Sequence, residues 1–132
     1  MIRKSRTLFP FYPVLAVRGN EYNKALSGTR IALCFLSKLN RDTYSRRCFE
    51  IPATKTFMLS EYNDDLNSMF KEGIEAEYFR NKQEMIEKIR YYLSNDDKRK
   101  EIAQNGYNRV VQDGHDIVSR MKYAIDIIAS FQ

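Results

Sequence analysis

Six consecutive apolar residues, Ile31-Ala32-Leu33-Cys34-Phe35-Leu36, constrain what this chain can fold into more than any other feature. A short apolar run bounded by polar turns marks a strand buried on both faces, as in parallel sheets. Two further short strands are predicted, at Thr56–Leu59 and Glu75–Phe79, with helix-forming stretches between them. Strand–helix alternation implies right-handed crossovers and a parallel sheet with helices packed on it. The expected class is therefore α/β: a partial Rossmann-like parallel sheet flanked by helices, with a helical C-terminal third. Three strands are clear, or four if Val14-Leu15-Ala16-Val17 joins them.

The helices are predicted from periodicity and end signals. A short one runs from Glu21 to Leu26 and stops at Gly28. Tyr44 to Ala53 reads as the next, with Pro52 expected to kink or stop it because proline lacks a backbone donor. Asn63 or Asp64 can cap a helix over Leu66–Phe70. Met85, Ile86, Ile89 and Leu93 recur at three and four residues, so Lys82 to Leu93 is amphipathic. Ser94 and Asp97 stand at capping-box spacing before a helix marked by Ile102, Ala103, Tyr107, Val110 and Val111. Ile117, Met121, Ala124, Ile125 and Ile128 mark the last. The 132 residues make one domain, with residues 1–10 expected as a flexible basic N-terminus.

Several function classes drop out. No apolar run reaches the roughly 20 residues of a bilayer span, and Pro10 and Pro13 interrupt what would be a signal peptide's apolar segment. Two cysteines do not make a disulfide framework, so a reduced, cytoplasmic chain with no transmembrane segment is expected. His115 is the only histidine, which leaves too few ligands for zinc. A Cys48–His115 nucleophilic pair has no support beyond one residue of each kind. No nucleic-acid motif is present, and the basic residues do not form a stripe along one helix, so no nucleic acid is expected as partner.

Charge is divided unevenly. Residues 1–55 carry eleven Lys/Arg against three acids (Glu21, Asp42, Glu50), whereas residues 56–132 carry eleven against fourteen. A basic half beside an acidic one points to an anionic ligand held by the first. In open α/β sheets ligands bind beyond the carboxyl ends of the strands, here the loops Ser37–Thr43 and Ser60–Asp65. The first leads into a helix start, where free amides attract anions and Thr43, Ser45, Arg41, Arg46 and Arg47 add donors and charge. No Gly-rich phosphate loop occurs. Glu50 lies in an apolar stretch between two buried strands, where a carboxylate needs a partner. Two partners are open: Arg46 or Arg47 on the same helix face, or the hydroxyls of a sugar diol.

The stretch Arg41-Asp42-Thr43-Tyr44-Ser45-Arg46-Arg47-Cys48-Phe49-Glu50-Ile51-Pro52-Ala53, followed by Phe57-Met58-Leu59-Ser60-Glu61, resembles the C-terminal half of GT-B glycosyltransferases. The resemblance is to the group-1-like branch that includes spore-maturation-type proteins, and it extends over roughly residues 11–127. Glu21-Tyr22-Asn23-Lys24-Ala25-Leu26 and Arg99-Lys100-Glu101-Ile102-Ala103-Gln104-Asn105-Gly106 also carry it. It implies a donor-binding domain for a UDP- or GDP-sugar, with no cofactor besides that donor. The family's two carboxylates separated by seven intervening residues match Asp42 and Glu50 in spacing, with Asp in place of the usual first Glu. By this resemblance Glu50 binds the ribose hydroxyls, Asp42 lies near the donor sugar, and amides around Thr43, Tyr44 and Ser45 face the diphosphate, with Arg46 and Arg47 beside them.

The chain also departs from the pattern. Thr54 and Lys55 replace a small residue and a glycine, which implies a strained or altered turn. Of the cations that would steady a leaving diphosphate, Arg3, Lys4, Arg6 and Arg18 are candidates by charge alone. The family's acceptor half, which supplies the catalytic base, is not in this sequence, so the chain alone is expected to be inactive. A partner chain carrying that half, or self-association through Phe9, Phe11, Tyr12, Val14, Leu15 and Val17 at an open sheet edge, is expected. The alternative is a non-catalytic interaction module built on the same fold.

Overall fold

The computed structural model describes residues 16–131. Their elements run α1 (Asn20–Ser27), β1 (Ile31–Cys34), α2 (Arg47–Ala53), β2 (Phe57–Glu61), α3 (Asp64–Met69), β3 (Glu77–Phe79), α4 (Lys82–Ser94), α5 (Asp96–Gln112) and α6 (Ile117–Ala129). The three strands are parallel in the order β1-β2-β3, with Ile31 opposite Phe57 and Leu59 opposite Glu77. The α/β class and the partial Rossmann-like sheet are as the sequence implies. The proposed fourth strand and the basic segment 1–10 fall largely or wholly outside the described residues, and Ala16 and Val17 are not in a strand.

Alternation along the strands sorts the core into two layers. Ala32, Cys34, Met58 and Tyr78 pack with Cys48 and Ile51 of α2 and Leu66 of α3 on one face. Phe57, Leu59 and Phe79 pack with Tyr92 of α4 and Ile102 and Ala103 of α5 on the other. β2 and the short β3 are buried on both faces. The six-residue run that reads as such a strand instead forms an edge: β1 stops at Cys34, and Leu33 and Phe35 are 37% and 55% exposed. Among the described residues no strand lies beyond β1, so its second face is only partly covered.

Other boundaries shift for local reasons. The helix expected from Tyr44 begins at Arg47, because residues 41–46 are spent on a turn that brings the chain back over the sheet. Pro52 stands one residue from the end of α2, where its missing donor ends the helix as expected. Asn63 caps α3 through Oδ1, which accepts from the Leu66 amide at 2.8 Å. The capping box at Ser94 and Asp97 does not form: α4 runs through Ser94, and only Asn95 separates it from α5. The last helix forms as the spacing of its apolar residues implies, yet Ile117, Met121, Ile125 and Ile128 are all exposed and no residue of α6 is buried.

Two features hold the layers in register. Gly106 of α5 lies against the backbone: a Cβ there would stand 2.5 Å from the Glu75 carbonyl oxygen and 3.3 Å from Pro52 Cβ. Across the sheet, Glu72 takes Arg80 at 2.8 Å and Lys88 at 2.9 Å, and Lys88 reaches the buried Glu77 at 2.6 Å. Glu77 in turn accepts from the Tyr92 hydroxyl at 2.9 Å.

Gly106→Ala is expected to destabilise by about 1–3 kcal/mol through the clash, against a helix-propensity gain of at most about 1 kcal/mol. A lowered thermal midpoint checks the sign. The Arg80 and Lys88 cations also hold the Glu72 carboxyl down at about 2. A depressed carboxylate stabilises above its unfolded value, and that stability disappears as pH falls from about 4.5 toward 2. Denaturant unfolding across that window should show a loss on the order of 2 kcal/mol. Glu72→Gln should flatten it.

Candidate functional site

The loop after β1 is built by short-range bonds. The Leu36 amide donates to Glu61 Oε2 at 2.9 Å, which ties the loop's start to the end of β2. Asn40 N donates to Ser37 Oγ at 3.2 Å and Asp42 N to the Ser37 carbonyl at 3.0 Å, closing a tight turn in which Arg41 takes φ 56°. A non-glycine residue in the left-handed region is uncommon and marks a place where surrounding contacts dictate the backbone. Asn63 Nδ2 donates to the Thr43 carbonyl, so the residue that caps α3 also clamps this loop. Tyr44 sits edge-on to Phe49 with ring centroids 6.0 Å apart.

Beyond the turn the chain enters α2 with its first amides unspent. Among the described residues, the N–H groups of Thr43, Tyr44, Ser45 and Arg46 donate to no backbone acceptor, and bonding resumes with Cys48 to the Ser45 carbonyl at 2.9 Å. No side chain caps α2. Donors left open at an element's start are satisfied by water or by a ligand.

Glu50 is less buried than its apolar neighbours suggest; its side chain is 29% exposed. Both carboxylate oxygens are engaged. Oε1 meets Arg46 Nε at 2.6 Å and Oε2 accepts from the Tyr22 hydroxyl at 3.0 Å. The ion pair with Arg46 is one of the two partners open from sequence; Arg47 makes no salt bridge to Glu50. Burial and the adjoining Glu50 carboxylate push the Tyr22 phenol above its ordinary value, so it stays a donor at neutral pH.

These residues line an open cleft of about 550 Å³ with Val17, Arg18 and Gly19. Three guanidinium groups, Arg18, Arg46 and Arg47, face one carboxylate there, an excess of positive charge suited to an anion. The sequence reading missed Tyr22 as a site residue and held Arg18 only by charge. What brings both in is the packing of α1 beside α2, which no local pattern announces.

The seven candidate residues therefore divide. Ser45, Arg46, Arg47 and Glu50 share this cleft. Asp42 lines a second one of about 630 Å³ at the carboxyl ends of the strands, with Lys38, Arg41, Glu61 and Arg80. Thr43 and Tyr44 line neither cleft. Cys48 faces away, its sulfur 3.6 Å from that of Cys34 in the core. His115 is not at the surface: its side chain is 12% exposed and its ring lies 4.6 Å from Phe49. Burial and Arg120 lower its pKa, and it does not pair with Cys48. Among the described residues no group of side chains could hold a metal ion.

An exposed i,i+4 ion pair contributes little to folding. Glu50→Gln should accordingly change stability by less than about 1 kcal/mol, measured by chemical unfolding.

A family model described as glycosyl transferase-like matches residues 12–126. No curated protein and no solved structure matches the chain.

Proposed function

The chain belongs to the glycosyl transferase-like family, and from that premise we propose that it is the donor-binding half of a GT-B glycosyltransferase, holding the nucleoside diphosphate of a UDP- or GDP-sugar. One observation carries the reading: the Glu50 carboxylate, fixed by Tyr22 and Arg46, stands in a cleft whose rim offers free amides and three guanidinium groups. A carboxylate can accept two hydrogen bonds from the vicinal hydroxyls of a ribose. The cations and the amides of Thr43 to Arg46 then meet the phosphates. Arg46 holds the carboxylate in place and turns toward the phosphates when the diol takes its position. Asp42, in the adjoining cleft, is left to the donor sugar.

The reading extends to partners and place. The acceptor-binding half is supplied by another chain or segment, and the apolar face of α6 with the open edge of β1 offers it a contact surface. No described helix is long and apolar enough to cross a membrane. Two free thiols in the core suit a reducing compartment, so the cytoplasm is the proposed location.

Isothermal titration with UDP and GDP tests the donor site. One of them is expected to bind, and Glu50→Gln and Tyr22→Phe should each weaken it by about tenfold, the loss of one charge-assisted hydrogen bond. Equal affinity in wild type and Glu50→Gln would reject the ribose role and leave the Arg46 pair as the residue's purpose.

A further inference from the structure

Parallel strands share a direction, so the turns that lead into β1 and β2 lie together at the end of the sheet opposite the loops just described. There Arg30, Lys55, Arg99 and Lys100 surround a cleft of about 350 Å³, and no Asp or Glu lines it. Arg99 is only 5% exposed, and both of its side-chain hydrogen bonds, to Asp96 and to the Tyr92 carbonyl, leave from Nη1. Among the described residues neither Nε nor Nη2 donates to the protein. Arg30, Lys55 and Lys100 form no ion pair among the described residues. Like charges gathered around one space repel unless an anion enters it.

The backbone adds a second, independent observation. Lys55 takes φ 56° in the turn between α2 and β2, the left-handed region that glycine adopts freely. A lysine held in that conformation strains the turn. Lys55 Nζ also lies 4.6 Å from the Tyr107 ring centroid, so the residue borders a neighbouring cleft as well as this one.

We propose that this cleft is a second anion site that takes a phosphate group, with the buried Arg99 as its anchor and Arg30, Lys55 and Lys100 as its rim. The strain at Lys55 places a cation where glycine would place none. Arg30, Lys55 and Lys100, which have no carboxylate partner among the described residues, and the Nε and Nη2 donors that Arg99 keeps beyond its pair with Asp96 fit phosphate oxygens in both charge and geometry. The group can belong to a soluble phosphorylated compound or to an anionic lipid headgroup. The proposal does not depend on the donor-site reading.

The test uses inorganic pyrophosphate as probe, with sodium chloride at matched ionic strength as control. It is run on Arg46→Gln/Arg47→Gln protein, so that binding near Glu50 does not contribute. Pyrophosphate is expected to raise the thermal midpoint of that protein, and further Arg30→Gln and Lys100→Gln changes should weaken its affinity by about tenfold. Lys55→Gly separates binding from folding: it should raise the midpoint without ligand, by releasing the strain, and still weaken pyrophosphate. Flotation with neutral phosphatidylcholine vesicles and with vesicles containing phosphatidylglycerol distinguishes the sources. Capture on the anionic vesicles that needs Arg30 and Lys100 assigns a headgroup; pyrophosphate binding without capture assigns a soluble compound. The site is overturned if pyrophosphate gives no protection, or if protection survives the Arg30 and Lys100 changes undiminished.

Discussion

β2 sends Met58 into a layer with α2 and α3, and Phe57 and Leu59 into a layer with α4 and α5. Its place between the other two strands makes it the strand to which every other described element except α6 is tied directly or through one neighbour. Its last residue, Glu61, holds the amide of Leu36 and so sets the start of the loop after β1. Just before its first residue, the left-handed turn at Lys55 directs the chain out of α2 and into the sheet. Both ends of the sheet thus take their shape from where this strand begins and ends. The cleft at Glu50 lies beside one end and the basic cleft lies at the other.

Charge follows the same division. On the α4 side, Glu72, Arg80, Lys88 and Glu77 neutralise one another within a network that serves folding. In the two clefts, cations are left in excess of carboxylates. Arg18, Arg46 and Arg47 outnumber Glu50 in one, and four cations face no lining carboxylate in the other. Proteins pair the charges that hold them together, and those left unpaired around a concave surface are free to meet a ligand. The net positive charge is therefore localised where an anion can use it.

The apolar residues that the sheet leaves uncovered have a common origin. Leu33 and Phe35 at β1 and the stripe of α6 have the spacing of core residues. Periodicity reports that a face is apolar; it does not report which surface covers it. In this fold the covering surface is not among the described residues. The same ambiguity explains Glu50: an apolar sequence context implied burial, but the groove it shares with Tyr22 of α1 stays open to water.

What the sequence determined by itself was local and periodic. The parallel α/β order, the Asn63 cap, the end of α2 at Pro52 and the Arg46–Glu50 spacing all depend on residues close in the chain. Tertiary structure decided what depends on distant segments meeting. It set Tyr22 against Glu50, 28 residues apart, and separated Asp42 from Glu50 into adjoining clefts although they are close in sequence. It also gathered Arg30, Lys55 and Arg99 at one end of the sheet. The physical reason is that hydrogen-bonding turns and helix caps act over three or four residues. Which charges share a cleft depends instead on strand register and helix packing, and those are properties of the whole core.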